Sequence, residues 1–190
     1  IRPNHMIPKI VHQFWSNGLP LPKSHGTYAE SWREKNPEWQ YVRWNEETMF
    51  PMYNQEKYVW SLDSPERTNE FRSALARFEI LHRYGGVWFD PEMECINPLN
   101  LDLSLKGFVV DDTASVIGAE ANSEFLWGTV VRLKQDQHIL SNDSLAAWHM
   151  HHAVSLHKEV VKMPVCKFFP HDMNGRVRCD LSQALTTYHW

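Results

Sequence analysis

The 190-residue sequence lacks any apolar run approaching the roughly 20 residues that a membrane-spanning helix needs. It also lacks the basic excess typical of nucleic-acid binders, because 23 acidic residues outnumber 19 Lys and Arg and give a net charge of −4. No internal repeat and no Gly/Ser-rich linker divides it, which predicts a single domain over residues 1–190. We therefore expect a globular domain with no membrane segment and no nucleic-acid partner.

Cysteine is scarce, since the chain has only Cys95, Cys166 and Cys179. An odd number excludes a full disulfide framework, and the spacing matches no zinc-ligand pattern. One bridge between Cys166 and Cys179 could form, but we expect free buried thiols.

Aromatic residues are abundant, with nine Trp, nine Phe and six Tyr. They predict a core built on large rings, and some of them could also line a groove for flat or sugar-like ligands.

Predicted strands and helices alternate along the chain. Apolar or alternating segments predict strands over 7–15, 40–44, 87–89, 107–110, 115–117 and 167–169. Helical spacing predicts helices over 27–35, 46–53 with Asn45 as cap, 69–84, 124–135 and 144–157. This alternation is typical of an α/β fold with a largely parallel sheet.

Two acidic residues, Asp90 and Glu92, follow the short apolar strand over 87–89 and flank Pro91, which favours a turn. In open α/β sheets, ligands bind beyond the carboxyl ends of the strands. Carboxylates are hard ligands that suit Mg²⁺ or Mn²⁺, and such an ion would neutralise a diphosphate. The alternative is a solvated turn, which is the commoner meaning of two acids after a strand.

The surrounding stretch RSALARFEILHRYGGVWFDPEMECINPL resembles the sugar-nucleotide-binding region of the DXD-containing glycosyltransferases. That group includes the yeast-type initiating α-1,6-mannosyltransferases of family 32 and, more distantly, the clostridial glucosylating toxins. The family pattern is matched by Arg72, Ser73, Arg77, Leu81, Gly85, Gly86, Val87, Trp88, Phe89, Asp90, Pro98 and Leu99. The segments IPKIVHQFW and SWREKNPEWQYVRW extend the resemblance, so that it spans most of the chain in the family's order.

The resemblance implies a GT-A-like single Rossmann-type domain with a mostly parallel central sheet flanked by helices. It implies a metal-dependent, retaining glycosyltransferase that takes a UDP- or GDP-sugar as donor and Mn²⁺ or Mg²⁺ as cofactor. The acceptor would be a hydroxyl group of a carbohydrate or glycoconjugate. The compartment stays open between the cytoplasm and a soluble fragment of a membrane-associated protein.

The same resemblance assigns nucleotide-binding roles by position. Trp15 would contact the base, and Ser73 and Arg77 would lie near the ribose and phosphates. Trp88 occupies an aromatic position that also lies near the nucleotide. The residue chemistry agrees, because bases stack on Trp and Arg forks onto phosphate.

A second set of residues is implied for the metal and for catalysis. Asp90 and Glu92 stand at the two acidic positions of the DXD motif, and His189 resembles a C-terminal histidine that joins the metal or diphosphate. Glu120 lies where relatives place an acid near the transferred sugar. The implied catalytic set is Asp90, Glu92, Arg77 and Glu120.

The chain departs from the family pattern at two positions. Ala74 replaces the Asp that follows Ser in the family, and Glu92 replaces the second Asp of the motif. The family carboxylate helps to hold the donor, so its loss favours an alternative, a catalytically weakened sugar-nucleotide-binding module. A metal-dependent phosphohydrolase is a further alternative.

Other acids and histidines compete with these assignments. Glu120 could instead belong to the N-terminal cap of a helix, and Asp111–Asp112 is a rival acidic pair for a metal or sugar. His149, His151 and His152 suggest a metal cluster, but no acid nearby in the sequence completes it, so we expect a partly exposed helix.

Overall fold

The computed structural model describes residues 6–63, 69–110, 113–142 and 144–189. Within these ranges the helices are α1 (Lys23–Lys35), α2 (Gln55–Leu62), α3 (Asn69–Tyr84), α4 (Glu124–Gln135) and α5 (Leu145–Ser155). The strands are β1 (Ile10–Phe14), β2 (Gln40–Trp44), β3 (Gly86–Phe89), β4 (Met93–Cys95), β5 (Gly107–Val110), β6 (Val116–Ala119), β7 (Val160–Met163) and β8 (Thr186–Tyr188). The rival pair Asp111–Asp112 lies outside the described residues.

Six strands form the central sheet in the order β2-β1-β3-β6-β5-β7. β1 pairs in parallel with β2 and β3, and β5 pairs in parallel with β7. β6 lies antiparallel between β3 and β5, so it alone of the six runs against the others. β4 and β8 form a separate antiparallel pair. The α/β class with a mostly parallel sheet is therefore confirmed.

The two faces of the sheet bury two hydrophobic clusters, because neighbouring residues of a strand point to opposite sides. Trp88 packs in the cluster that contains α3, α4 and α5. Val87 and Phe89 point the other way, into the cluster that contains Trp32 of α1. The side chain two residues beyond Trp88 is thus expected on the α3 side of the sheet.

Glycines make the turn that joins α3 to β3. Gly85 has φ +64° and its N–H donates to the Leu81 carbonyl at 2.8 Å, so it ends α3 in the left-handed conformation. Gly86 has φ +113°, and an added Cβ would lie only 2.6 Å from the Ile10 carbonyl oxygen. The Gly-Gly pair therefore lets the chain pass from the end of α3 into β3 in close contact with β1.

Two predicted elements were wrong. The segment over 46–53 is not a helix, because the Asn45 side-chain oxygen accepts from the N–H groups of Glu47 and Thr48 and makes a turn. The helix of this region is α2, further along the chain. The segment over 167–169 is not a strand, since residues Val165–Lys167 form a 3₁₀ turn. The late strands are β7 and β8, which the sequence patterns missed.

The expectation of three free thiols was also wrong. Cys166 and Cys179 form a disulfide, with their Cα atoms 5.6 Å apart. The intervening chain doubles back through a bridge between His171 and Val177, which brings the two cysteines together. Cys95 is free and buried as expected. Across the ranges that the structure describes, no helix has the length and apolarity to cross a bilayer.

The Gly85 turn yields a test of the fold. Gly85→Ala should lower the free energy of unfolding by about 3 kcal/mol, because left-handed strain costs about 1–2 kcal/mol and overpacking adds to it. The added Cβ would lie 2.7 Å from the Ala121 backbone nitrogen. Gly175→Ala is the matched control, since Gly175 has φ +74° and nothing within 4 Å of an added Cβ. Urea unfolding measures both; equal losses would contradict the close approach at Gly85.

Candidate functional site

The backbone of Asp90 is held between two neighbours just beyond the end of β3. Its N–H donates to the Ser115 carbonyl at 3.1 Å, and its carbonyl accepts from the Gln13 side-chain amide at 3.0 Å. Gln13 lies in β1, which runs parallel to β3, so both strands end at this edge of the sheet. The acidic motif therefore follows the carboxyl ends of two adjacent parallel strands, where open α/β sheets bind ligands.

The Asp90 carboxylate is fixed by two side chains. The Trp88 indole N–H donates to Asp90 Oδ1 at 2.9 Å, and Arg77 Nη1 lies 3.5 Å from the same oxygen. The Arg77 and Asp90 side chains are only 8% and 14% exposed, so water screens this ion pair weakly. The Arg77 guanidinium also lies 5.5 Å from the Trp88 ring centroid, within cation–π range.

Arg77 is itself positioned by Ser73, one turn earlier in α3. Arg77 Nε donates to the Ser73 carbonyl at 3.1 Å, and Nη2 donates to Ser73 Oγ at 3.2 Å. Arg77 Nη1 also donates to the carbonyl of Ala114. Ser73 and Arg77 are both buried. The helix thus presents a guanidinium group in one fixed orientation beside Asp90.

Glu92 is a half-buried carboxylate in the same region. Burial first, and then the negative charge of Asp90, raise the pKa of Glu92 to about 7. Glu70, in the first turn of α3, raises the pKa of Glu92 further. Burial also raises the pKa of Tyr188, and Asp90, Glu92 and Glu70 act in the same direction. The negative charges of these acids therefore act on one another, and a bound cation would reduce their repulsion.

The C-terminal segment passes over the acidic motif. β8 pairs with β4, and the His189 N–H donates to the Glu92 carbonyl at 3.1 Å. The His189 ring lies elsewhere, because its Nε2 is 2.8 Å from Glu94 Oε2 and its face stacks on Tyr28 at 4.4 Å. The structure thus brings the His189 backbone to the acids but its imidazole to Glu94, and the metal-binding role of that imidazole stays a prediction.

The two tryptophans predicted to meet the nucleotide differ in exposure. Trp15 lies just beyond β1, at the same edge of the sheet as Asp90, and is partly exposed. Its indole N–H donates to the Leu19 carbonyl at 3.2 Å, and its ring meets His25 edge-on. The Trp88 ring is fully buried, so its indole N–H reaches the site through Asp90.

The structure does not bring Glu120 to this site. Glu120 follows β6, which runs antiparallel to β3, and Ala119 pairs with Gly86 at the start of β3. Glu120 therefore lies at the opposite edge of the sheet from Asp90. It does not cap α4 either, because Ser123 stands at the N-cap position.

A cavity of about 230 Å³ opens beside the acidic motif. α3 contributes Glu70, Ala74 and Arg77, and Asp90 lies with them. The other lining residues are small: Thr113, Ala114, Ser115, Ser144, Ala146 and Ala147. Sequence reasoning missed Glu70 and this lining, although the spacing of Glu70 one helical turn before Ala74 could have indicated the first.

The residues at the end of β3 fit a divalent cation shared with a ligand. In the described part of the chain, no three His, Cys, Asp or Glu side chains are grouped closely enough to hold a metal by themselves. The histidines of α5 belong to no such group of described residues either, although the buried His149 has one acid, Asp136, 2.7 Å away. Mg²⁺ usually takes one or two carboxylates and completes its shell with phosphate and water. Asp90 and Glu92 supply that number.

Comparison with known proteins relates part of the chain to a glycosyltransferase family. Residues 22–112 match the family described as glycosyltransferase sugar-binding region containing DXD motif. The chain is 27% identical over 145 residues to inositol phosphoceramide mannosyltransferase 1 of Schizosaccharomyces pombe, covering 70% of this chain and 44% of that protein. The chain thus spans less than half the length of this curated relative.

Two solved structures share the fold. The PaToxG glycosyltransferase superposes with a TM-score of 0.65 at 12% identity, covering 80% of this chain and 71% of that one. The UDP-bound glycosyltransferase domain of the YGT toxin gives 0.50 at 10% identity, covering 82% and 68%. At such identities the likeness concerns the fold, and it confirms the GT-A-like class. The family match makes residues 22–112 similar to the sugar-binding region of DXD-containing glycosyltransferases.

Proposed function

We propose that residues 1–190 are one catalytic domain that moves a sugar from a UDP- or GDP-sugar to a hydroxyl group of a carbohydrate or glycoconjugate. We propose further that transfer depends on a divalent cation and retains the anomeric configuration. One observation carries the proposal: Asp90 and Glu92 follow β3 at the ligand-binding edge of the sheet, with Arg77 fixed on Asp90.

The acids and Arg77 would stabilise the diphosphate in different ways. Asp90 and Glu92 would hold Mn²⁺ or Mg²⁺, and the bound ion would supply Lewis-acid stabilisation of the leaving diphosphate. Asp90 presents its carboxylate in one orientation because Trp88 and Arg77 hold Oδ1. Arg77 lines the cavity, where its positive charge offsets the charge that develops on the phosphates.

The exposure of each predicted nucleotide-binding side chain indicates which of them can touch the nucleotide. Trp15 is partly exposed at the binding edge, which supports stacking on the base. Ser73 and Trp88 are buried and bonded to Arg77 and Asp90, respectively. We propose that these two residues act by positioning the charged groups and not by touching the nucleotide.

Relatives suggest the first donors to try. The curated relative is named a mannosyltransferase of inositol phosphoceramide, which favours GDP-mannose and a glycoconjugate acceptor. The UDP-bound neighbour makes UDP-sugars the second choice. The Cys166–Cys179 disulfide favours an oxidising compartment, which fits a fragment of a membrane-associated protein better than the cytoplasm.

Ala74 supports the rival proposal of a non-catalytic binding module, because the family carboxylate is missing there. Calorimetric titration with GDP-mannose and UDP-glucose, with and without Mn²⁺, paired with an assay for released sugar, separates the two. An enzyme binds a donor in the presence of Mn²⁺ and releases or transfers its sugar. Binding without any turnover would favour the module, and absence of binding would refute both.

Asp90 should be indispensable for cation-dependent binding. Asp90→Asn keeps the size of the side chain but removes the charge, so Mn²⁺-dependent donor affinity should fall at least 100-fold, a loss of about 2.7 kcal/mol. Asp102→Asn is the control, because Asp102 is an exposed aspartate whose bonds to Ser104 an amide oxygen can keep. Calorimetry at constant Mn²⁺ measures the loss; retained affinity in Asp90→Asn would contradict the assignment.

Glu92 should make the stability of the ion-free protein depend on pH. Its pKa of about 7 lies above the unfolded value of 4.5, so the folded state binds more protons between these values. Stability should therefore fall as pH rises from about 5 to 8 in EDTA. Added Mn²⁺ should restore it by binding the ionised folded form.

Thermal unfolding across that pH range measures this effect. Glu92→Gln cannot ionise at residue 92, so its melting point should decline less in EDTA and gain less from Mn²⁺. A Glu92→Gln variant with the same pH slope and the same Mn²⁺ response as the unaltered chain would exclude this role.

A further inference from the structure

Glu70 stands one helical turn before Ala74 in α3, on the same face of the helix. Both residues line the 230 Å³ cavity with Arg77 and Asp90. Ala74 is only 4% exposed and brings just a methyl group, whereas Glu70 is exposed and brings a carboxylate. The cavity therefore receives its α3 carboxylate from residue 70 and not from residue 74.

Helix geometry explains how one position can substitute for the other. Side chains on an α-helix lean toward its N-terminus, so a residue covers the surface over the turn before its own Cα. An acid at residue 74 would place its carboxylate over the turn that contains residue 70. The Glu70 side chain begins in that turn and lines the same cavity as Ala74.

The rest of the cavity suits a sugar ring. Its volume of about 230 Å³ lies below the roughly 300–1,000 Å³ of sites that enclose drug-sized ligands, so it fits one part of a nucleotide sugar. Hydroxyl-bearing and small residues from outside α3 also line the cavity, among them Thr113, Ser115 and Ser144. A carboxylate facing such groups accepts hydrogen bonds from adjacent sugar hydroxyls.

We infer that Glu70 supplies the carboxylate that Ala74 lacks, and that it accepts hydrogen bonds from hydroxyl groups of the transferred sugar. The inference rests on the proposed function, because it assumes that a nucleotide sugar occupies this edge of the sheet. Asp90 and Glu92 then serve the cation and the diphosphate, while Glu70 serves the sugar. Residue 70 is thereby a specificity-determining position of this chain.

The test compares a sugar nucleotide with the nucleotide alone. In Glu70→Gln, affinity for GDP-mannose or UDP-glucose with Mn²⁺ should fall about tenfold, because a charge-assisted acceptor is lost. Affinity for GDP or UDP with Mn²⁺ should fall much less, because neither carries the sugar and the Glu70 charge acts on the acidic motif only through space. Glu124→Gln is the control, because Glu124 is an exposed glutamate in the first turn of α4 and lies outside the cavity.

A second variant tests substitution between the two positions. Ala74→Asp added to Glu70→Gln should recover most of the lost affinity for the sugar nucleotide, whereas it should add little when Glu70 is present. Thermal unfolding shows whether each variant is folded. If the double variant is not folded, the result for Glu70→Gln alone decides the test.

Three results would overturn the inference. Unchanged GDP-mannose and UDP-glucose affinity in Glu70→Gln would show that Glu70 does not touch the sugar. An equal loss for sugar nucleotides and for free nucleotides would place its action on the cation or diphosphate. If the unaltered chain binds no nucleotide with Mn²⁺, the proposed function itself fails, and that outcome is distinct from the first two.

Discussion

The site depends on the contact between the Asp90 carboxylate and two buried groups, the Trp88 indole and the Arg77 guanidinium. This contact joins the end of β3 to the middle of α3. It exists because Trp88 and Asp90 are two residues apart and point to the α3 side of the sheet. The fixed guanidinium and carboxylate give the acidic motif a definite orientation before any ligand arrives, and such preorganisation is what electrostatic catalysis requires.

The Gly85–Gly86 turn and the antiparallel β6 determine which residues share the site. The turn returns the chain from α3 directly into β3, so Arg77 and Asp90 meet although 13 positions separate them. Ser115, which immediately precedes β6, lies beside Asp90. The same strand carries Glu120 to the far edge of the sheet. The antiparallel direction of β6 therefore places Ser115 at the cavity and keeps Glu120 away from it.

Much of the fold could be predicted from sequence because its main signals are local. The helical spacing over 69–84, the glycine pair and the apolar run at Val87–Phe89 each agree with the structure. The helix predicted over 46–53 failed because of a local turn at Asn45, whereas other errors arose where long-range contacts decide. The Cys166–Cys179 bridge depends on how a loop doubles back, and the β4–β8 pair joins segments about 90 residues apart.

Part of the candidate site could be predicted from the sequence for the same reason, because its signals are local. Asp90, Glu92 and Arg77 lie within one short segment whose pattern resembles a family, whereas Glu120 depended on a strand direction that no local pattern specifies. Glu70 was missed because the family pattern draws attention to residue 74. Burial then distinguished the partly exposed Trp15 from Trp88, whose ring is fully buried.

The central claim is that the carboxylates of Asp90 and Glu92 hold one divalent cation at the end of β3, where it meets a diphosphate. The most direct measurement is anomalous diffraction at the manganese edge from crystals soaked with Mn²⁺ and GDP or UDP. We predict one strong anomalous peak within coordination distance of both carboxylates and of the diphosphate oxygens. A diphosphate bound elsewhere, or a peak at Glu94 and His189 with Asp90 and Glu92 unliganded, would contradict it.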